Sequence, residues 1–512
     1  MKQNLYSVLR AGFPAELDAI AVETDQGQRY RWRDLEEGSA RLANFLESLG
    51  LGPDARVAVQ AEKSVEYLLL YLATVRAGRV FLPLNTAYKP GEITYFLGDA
   101  QPEVFVCSSA NLHWVDGIAL EAGVRHVLTL DDNRTGSLLE LSAEFSDQHT
   151  AAPCDPQDLA AILYTSGTTG RSKGAMLSHV NLATNAQTLK EYWGWQPNDV
   201  LIHALPVFHV HGLFVAIHAA LLNGSKMLWM SKFDPRQVIE RMSDATVFMG
   251  VPTLYVRMLA EPTLTHARAQ AMRLFISGSA PLLIETFEAW RERKGHTILE
   301  RYGMSETVML TSNPYTDDPR YSGHSERRGG TVGFPLPGVE LRICGSDGEA
   351  LADGEIGGVE VRGPNVFKGY WRMPEKTREE FTEDGFFKTG DLGQIDAQGY
   401  VVLVGRSKDL IISGGYNVYP AEVEGILNEL EGVAESALIG VPHPDFGEVG
   451  FAIVVASPGA ELTGDALIDA LKKRLANFKI PKRCFIVDAL PRNTMGKVQK
   501  NLLRDQYRES FS

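Results

Sequence analysis

Leu163-Tyr-Thr-Ser-Gly-Thr-Thr-Gly-Arg-Ser-Lys-Gly174 follows directly on the apolar run Leu159 to Leu163. An apolar run of that length, closed by glycines and hydroxyl residues, predicts a strand that opens into a tight loop. Gly167 and Gly170 let backbone N–H groups come close to a ligand. Thr165, Ser166, Thr168 and Thr169 add hydroxyls and Lys173 adds a positive charge, a set suited to wrapping phosphate oxygens. A Walker loop needs glycine where Ser172 stands and a hydroxyl where Gly174 stands, so the stretch is a phosphate loop of another kind.

Strand and helix patterns alternate on both sides of it. Upstream, Arg56–Gln60, Val80–Pro83, Val104–Cys107 and 126–130 read as short buried strands, and 34–50 and 66–78 as helices that end in glycine. Downstream, 201–205, 226–230, 245–251 and 272–277 continue the strand series. The alternation predicts a parallel α/β sheet covered by helices. After Gly329 the texture changes: alternating runs at 339–344, 358–362 and 399–405 lie between glycines and prolines and predict hairpins in a β-rich piece. Beyond Arg406 an αβ mixture begins, with helices at 421–430 and 464–476 and strands at 434–441 and 450–456. A boundary is predicted at Arg406-Ser407-Lys408.

Composition narrows the function classes. The 512 residues correspond to three domain-sized units at roughly 150 residues each. A hydrophobic share of 44% with 22% charged residues excludes a wholly disordered chain. Fifty basic against 64 acidic residues give a net charge of −14, which argues against a nucleic-acid or anionic-membrane coat but not against a locally basic pocket. The four cysteines Cys107, Cys154, Cys344 and Cys484 are far apart, excluding a disulfide framework or a sequence-local zinc site. The most apolar stretch, 67–75, stops at Arg76, well short of the roughly 20 residues of a membrane helix. Residues 1–14 carry no apolar signal core. The expectation is a cytoplasmic protein without membrane insertion or nucleic-acid partner.

Tyr164-Thr-Ser-Gly-Thr-Thr-Gly-Arg-Ser-Lys-Gly174 resembles the phosphate-loop signature of the adenylate-forming superfamily, which includes acyl-CoA synthetases, adenylation domains and luciferases. The resemblance recurs in family order at Pro206-Val-Phe-His209, Ser277-Gly-Ser-Ala-Pro281, Arg301-Tyr-Gly-Met-Ser-Glu-Thr307 and Lys388-Thr-Gly-Asp391. It continues at Gly405-Arg406, Gly414-Gly-Tyr-Asn-Val-Tyr-Pro-Ala-Glu-Val-Glu424 and Asn493-Thr-Met-Gly-Lys497. It implies an α/β fold: a large N-terminal domain of two helix-covered sheets plus a β-rich subdomain (1–405), a hinge at 406–408, and a small mobile α+β domain (409–512) carrying a catalytic lysine. It also implies ATP, Mg²⁺ and coenzyme A as reactants, with an acyl-adenylate between two half-reactions.

Roles follow residue by residue from the resemblance. Thr165, Ser166, Gly167, Thr168, Thr169, Gly170 and Lys173 would hold phosphates. Tyr302 would stack on adenine, with Ser279, Ala280 and Pro281 on its other face and Gly303 and Ser305 beside it. Glu306 would hold magnesium, a hard cation that takes oxygen ligands. Asp391 and Arg406 would hold the ribose, and Lys497 would bridge the acid and the α-phosphate where charge builds up. Lys408 falls at the hinge, and Gly414, Gly415 and Tyr416 line the thiol tunnel. His209 resembles a gate between the acid and thiol channels, with His211 and Ser277 on the pocket wall.

The acid is read from two arginines. Arg301 precedes Tyr302, and Arg257 lies in Val251-Pro-Thr-Leu-Tyr-Val-Arg257, whose helix is expected beside the pocket. A guanidinium facing an apolar pocket is costly unless paired, and a second carboxylate on the substrate is a fitting partner. The alternative is a structural ion pair, Arg301 with Glu300 or Arg257 with Glu261. With Phe208-His-Val-His-Gly212, the pattern resembles the malonyl-CoA synthetases and implies a short dicarboxylate, malonate or methylmalonate. Fatty or aryl acids, or loading of a carrier-protein thiol, are the alternative readings.

Overall fold

The run before the phosphate loop forms the strand Leu159–Thr165, second from the edge of a six-stranded sheet. The order is His126–Thr129, Val104–Cys107, Arg56–Gln60, Val80–Pro83, Leu159–Thr165, Lys173–Ser178. The first five strands are parallel, as the alternation predicts. The last departs from it: Lys173–Ser178 runs antiparallel to its neighbour, with Lys173 opposite Thr165. A strand ladder thus fixes the backbone of Lys173.

The computed structural model describes residues 3–165, 172–316, 318–321, 326–414, 416–493 and 497–510. The chain forms two compact units, Met1–Gly329 with Gly333–Glu340 and Arg362–Gly385, and Gly330–Val332 with Leu341–Val361 and Phe386–Ser512.

Beside the six-stranded sheet, the first unit holds a nine-stranded one. Its six central strands, from Leu299–Tyr302 through Leu274–Ser277, Val247–Gly250, Val200–His203 and Lys226–Trp229 to Ile20–Thr24, are all parallel. The helix Val65–Arg76 is apolar from Tyr67 to Ala73 and buried along its whole length, the pattern of a helix covered all round. Ser64 caps it by accepting the Tyr67 N–H at 3.1 Å. Tyr71 packs on Phe81 of the six-stranded sheet and on Phe214. Truncating Leu70, which is fully buried, to alanine costs about 2–5 kcal/mol.

In the second unit, Gly357–Arg362, Phe387–Ile395 and Val401–Arg406 make an antiparallel meander with Glu340–Cys344 at its edge. A further sheet is built on the long hairpin Val433–His443 and Gly447–Ala456. Its period of two sends Leu438, Ala452 and Val454 to the side packed by Val423, Leu427, Leu467 and Leu471. Ile439, Val441, Phe451 and Ile453 go to the other side, packed by Leu503. Among the described residues no helix is long and apolar enough to cross a membrane.

Candidate active site

Ligand sites in parallel sheets form at the carboxyl ends of the strands. Here the ends of Val247–Gly250, Leu274–Ser277 and Leu299–Tyr302 are in register, with Ser277 opposite both Gly250 and Glu300. The chain then turns sharply: Ser279 has φ 70°, a left-handed conformation that a serine adopts only at a cost. Gly278 beside it leaves room for Arg301: a Cβ there would lie 2.6 Å from the guanidinium.

Arg301 is 2% exposed, and its Nε and Nη2 find no hydrogen-bond partner in the protein. Burial pulls its pKa down to about 9, which still leaves it charged at neutral pH. Close by in the register, the Ser277 Oγ is fully buried and also lacks a protein partner. The Glu300 carboxyl accepts the Leu282 N–H at 2.9 Å through one oxygen, and burial pushes its pKa up to about 8. Glu300 and Arg301 are consecutive in a strand and point to opposite faces. They form no ion pair, and that structural alternative falls.

The helix Pro252–Leu259 turns Leu254, Tyr255 and Met258 inward, and Arg257 is exposed, with its guanidinium 4.9 Å above the Phe233 ring. Glu261 pairs with Arg236, so the ion-pair alternative for Arg257 falls.

Both histidines of Phe208-His-Val-His-Gly212 lie in the first unit. His209 lines a small cleft with Phe208, Ser305, Tyr164, Tyr88 and Asn85. His211 is buried at the start of the π-helix His211–Ile217, a rare form that recurs at functional sites. Its Nδ1 lies 3.4 Å from the Ser279 Oγ. Burial, and then the Arg301 charge, hold its pKa well below the usual histidine range, so the ring is neutral.

Tyr302 is buried at the end of its strand, while Ala280 and Pro281 are exposed. The loop after Gly303 folds back so tightly that a Cβ on Gly303 would sit 2.0 Å from the Val308 carbonyl oxygen. Val308 itself has φ 55°, a strained value for a β-branched residue. This loop carries Glu306, which is buried and accepts from the Tyr370 hydroxyl at 3.1 Å. That hydroxyl also lies 2.7 Å from Glu380, whose other oxygen takes the Lys173 ammonium at 2.8 Å. Lys173, Glu306, Tyr370 and Glu380 thus form one cluster. Sequence reasoning missed Tyr370 and Glu380; Glu380 ends the short helix Pro374–Glu380, whose charge pattern looks like an ordinary solvated face. Ser166, Gly167, Thr168, Thr169 and Gly170 lie outside the described residues.

Among the described residues no three His, Cys, Asp or Glu side chains gather as a metal cage. Magnesium bound with ATP uses one or two carboxylates plus phosphate oxygens and water, so the single buried Glu306 carboxylate fits a metal that arrives with its nucleotide.

In the second unit, Asp391 and Arg406 face each other across the meander, and the Arg406 Nε lies 2.7 Å from the Asp391 Oδ1. Lys408 sits exposed in the turn Ser407–Asp409. Gly414 has φ 58° and donates its N–H to Phe446 O at 2.8 Å. Tyr416 is 61% exposed and stacks on Phe478, and Gly415 lies outside the described residues. Lys497 is exposed, and its N–H donates to the Asn493 side chain at 3.0 Å.

This fold and these clusters are those of an adenylate-forming enzyme: the chain belongs to the AMP-binding enzyme family, which it matches over residues 11–371, with the family's C-terminal domain matched over 422–497. Among solved structures it is similar to ATP-bound MatB from Rhodopseudomonas palustris, at 51% identity over 100% of both chains and a TM-score of 0.96. It is 33% identical to the malonate–CoA ligase of Arabidopsis thaliana, over 98% of this chain and 89% of that protein. It is also 34% identical to a feruloyl-CoA synthase of an Amycolatopsis species, over 94% of each. The chain is an AMP-forming acid–CoA ligase.

Proposed function

We propose that this chain joins malonate to coenzyme A. The carboxylate attacks the α-phosphorus of ATP, giving malonyl-adenylate and pyrophosphate; the CoA thiol then attacks the acyl carbon and AMP leaves. The observation that carries the acid is Arg301, a buried guanidinium with two nitrogens that the protein leaves unpartnered. A second carboxylate on the substrate satisfies both in fork geometry. A ferulate-like ring would leave the buried charge unpaired, an arrangement costing several kcal/mol. The likeness to MatB and to a malonate–CoA ligase supports the same choice. Methylmalonate is the nearest other candidate.

In this reading Tyr302 and the turn at Ser279 hold adenine, and Asp391 and Arg406 hold the ribose. Neutral His211 and Ser277 donate or accept beside Arg301 without adding charge. His209 gates the thiol. Lys497 places an ammonium between two approaching anions, where it is worth most in the transition state. Mg²⁺, held by Glu306 and the phosphates, would neutralise charge on the leaving pyrophosphate. Lys408 is the hinge about which the C-terminal part exchanges Lys497 for Gly414, Gly415 and Tyr416 between half-reactions. Four free cysteines, three of them buried, suit a reducing cytoplasm.

The test is pyrophosphate release with ATP and CoA, run on malonate, methylmalonate, acetate, butyrate and coumarate. Malonate is expected to be fastest. Faster turnover of butyrate or coumarate would overturn the dicarboxylate reading, and activity only with a carrier-protein thiol would remove the CoA assignment.

A further inference from the structure

We infer that Glu380 is a positioning residue for adenylation: it holds the Lys173 ammonium in place and, through the Tyr370 hydroxyl, links it to the Glu306 carboxylate. The inference rests on the adenylation reading above but not on which acid is used. Lys173 is pinned on two sides, by Glu380 at 2.8 Å and by the Tyr370 ring, whose centroid is 4.1 Å from the ammonium. Glu380 is held in turn by the Tyr370 hydroxyl at 2.7 Å and by Lys376 at 3.3 Å.

The backbone makes this cluster stiff. Lys368 N donates to Met176 O at 3.0 Å, Met176 N to Gly369 O at 3.0 Å, and Trp371 N to Gly174 O at 2.7 Å. The segment carrying Tyr370 is therefore stitched to the strand that starts at Lys173. Phe367 N donates to Glu306 O at 2.7 Å, so the same segment is also tied to the loop carrying the second carboxylate. A lysine stem has four rotatable bonds and a strongly hydrated head, and an unpaired one samples many rotamers. Here Glu380 and the Tyr370 ring select one rotamer, and two of the ammonium's three donors remain for phosphate oxygens.

Tyr370 supplies the link to Glu306. Its hydroxyl has one hydrogen and two carboxylates within reach, 2.7 Å and 3.1 Å away. With Glu306 holding a cation, the hydrogen would go to Glu380 and fix that carboxylate against Lys173. The metal-side and lysine-side groups are then set together.

The experiment compares Glu380→Ala, Glu380→Gln and Tyr370→Phe in the full-length enzyme. Three readouts are taken: adenylation by pyrophosphate exchange, thioester formation from supplied acyl-adenylate, and ATP affinity by calorimetry with EDTA present. Glu380→Ala is expected to lose about thirtyfold in adenylation, the rotamer freedom of one long side chain. It should also weaken metal-free ATP binding and leave thioester formation unchanged. Glu380→Gln keeps an acceptor for Lys173 and should restore most of the loss. Tyr370→Phe keeps the ring and should lose less than Glu380→Ala. Tighter ATP binding in Glu380→Ala would make Glu380 a competitor for Lys173 and overturn the inference. Equal loss in both half-reactions would make it a structural brace and overturn it as well. Since metal-free ATP binding involves no acid, failure of the malonate reading alone would leave this result standing.

Discussion

Replacing Arg301 with methionine should make the protein more stable and nearly useless for malonate. In the free protein the guanidinium is buried with two nitrogens unpartnered. Each buried unpartnered polar group costs about 1–3 kcal/mol, and replacing buried charge with apolar bulk commonly returns about 1–4 kcal/mol. A net gain of about 2 kcal/mol raises the melting temperature of a chain this size by about 2 °C. With malonate bound the sign reverses. Two charge-assisted hydrogen bonds at about 1.5–3 kcal/mol each are lost, so kcat/KM for malonate should fall by a factor of about 100 or more. Acetate, which has no second carboxylate, should change by less than about threefold. The assays are a thermal melt of the unliganded variant and pyrophosphate release with the two acids in parallel. Equal losses for malonate and acetate, or a variant less stable than the parent, would refute the reasoning.

Other expectations follow from the same geometry. Glu300 has its pKa raised by burial to about 8 from 4.5. Its protonated form is thus favoured by folding, and its contribution is full below about pH 4.5 and is lost as pH rises through about 8. Stability should fall by roughly 1.4 kcal/mol per pH unit across that window, and denaturant melts of Glu300→Gln should lack this slope; an unchanged slope would locate the titration elsewhere. Lys497→Ala should abolish adenylation while sparing thioester formation from supplied acyl-adenylate, and equal loss of both in single-turnover assays would contradict its role. Lys408→Pro fixes φ at the turn Ser407–Asp409; it should keep adenylation and lose thioester formation, and full turnover would remove the hinge.

The sequence carried the fold wherever chemistry is local and ordered along the chain. The apolar runs before glycine-rich breaks became the parallel strands, and the loop 163–174 stood out because hydroxyls, glycines and a lysine crowd into one turn. Arg301 drew attention because it directly precedes Tyr302, and its burial could be seen only in the fold. The strand Lys173–Ser178 was not legible, because Gly174 and Ser178 break the β pattern and its pairing comes from the preceding strand. The exposure of Arg257 was legible, since the helical period turns it away from Leu254, Tyr255 and Met258. Glu380 could not be found from the sequence: its partner Lys173 is 207 residues away, and only the segment stitched to Gly174 and Met176 brings the two together. The left-handed Ser279 and Val308 were equally hidden, since neither residue type favours that conformation.

The most direct test of the malonate assignment is a competition in which one pool of enzyme receives equimolar malonate and butyrate with ATP and limiting CoA. The thioesters are then counted by mass. The buried, unpartnered Arg301 requires malonyl-CoA to dominate in the parent and that dominance to vanish in Arg301→Met. Butyryl-CoA as the main product of the parent enzyme would contradict the account.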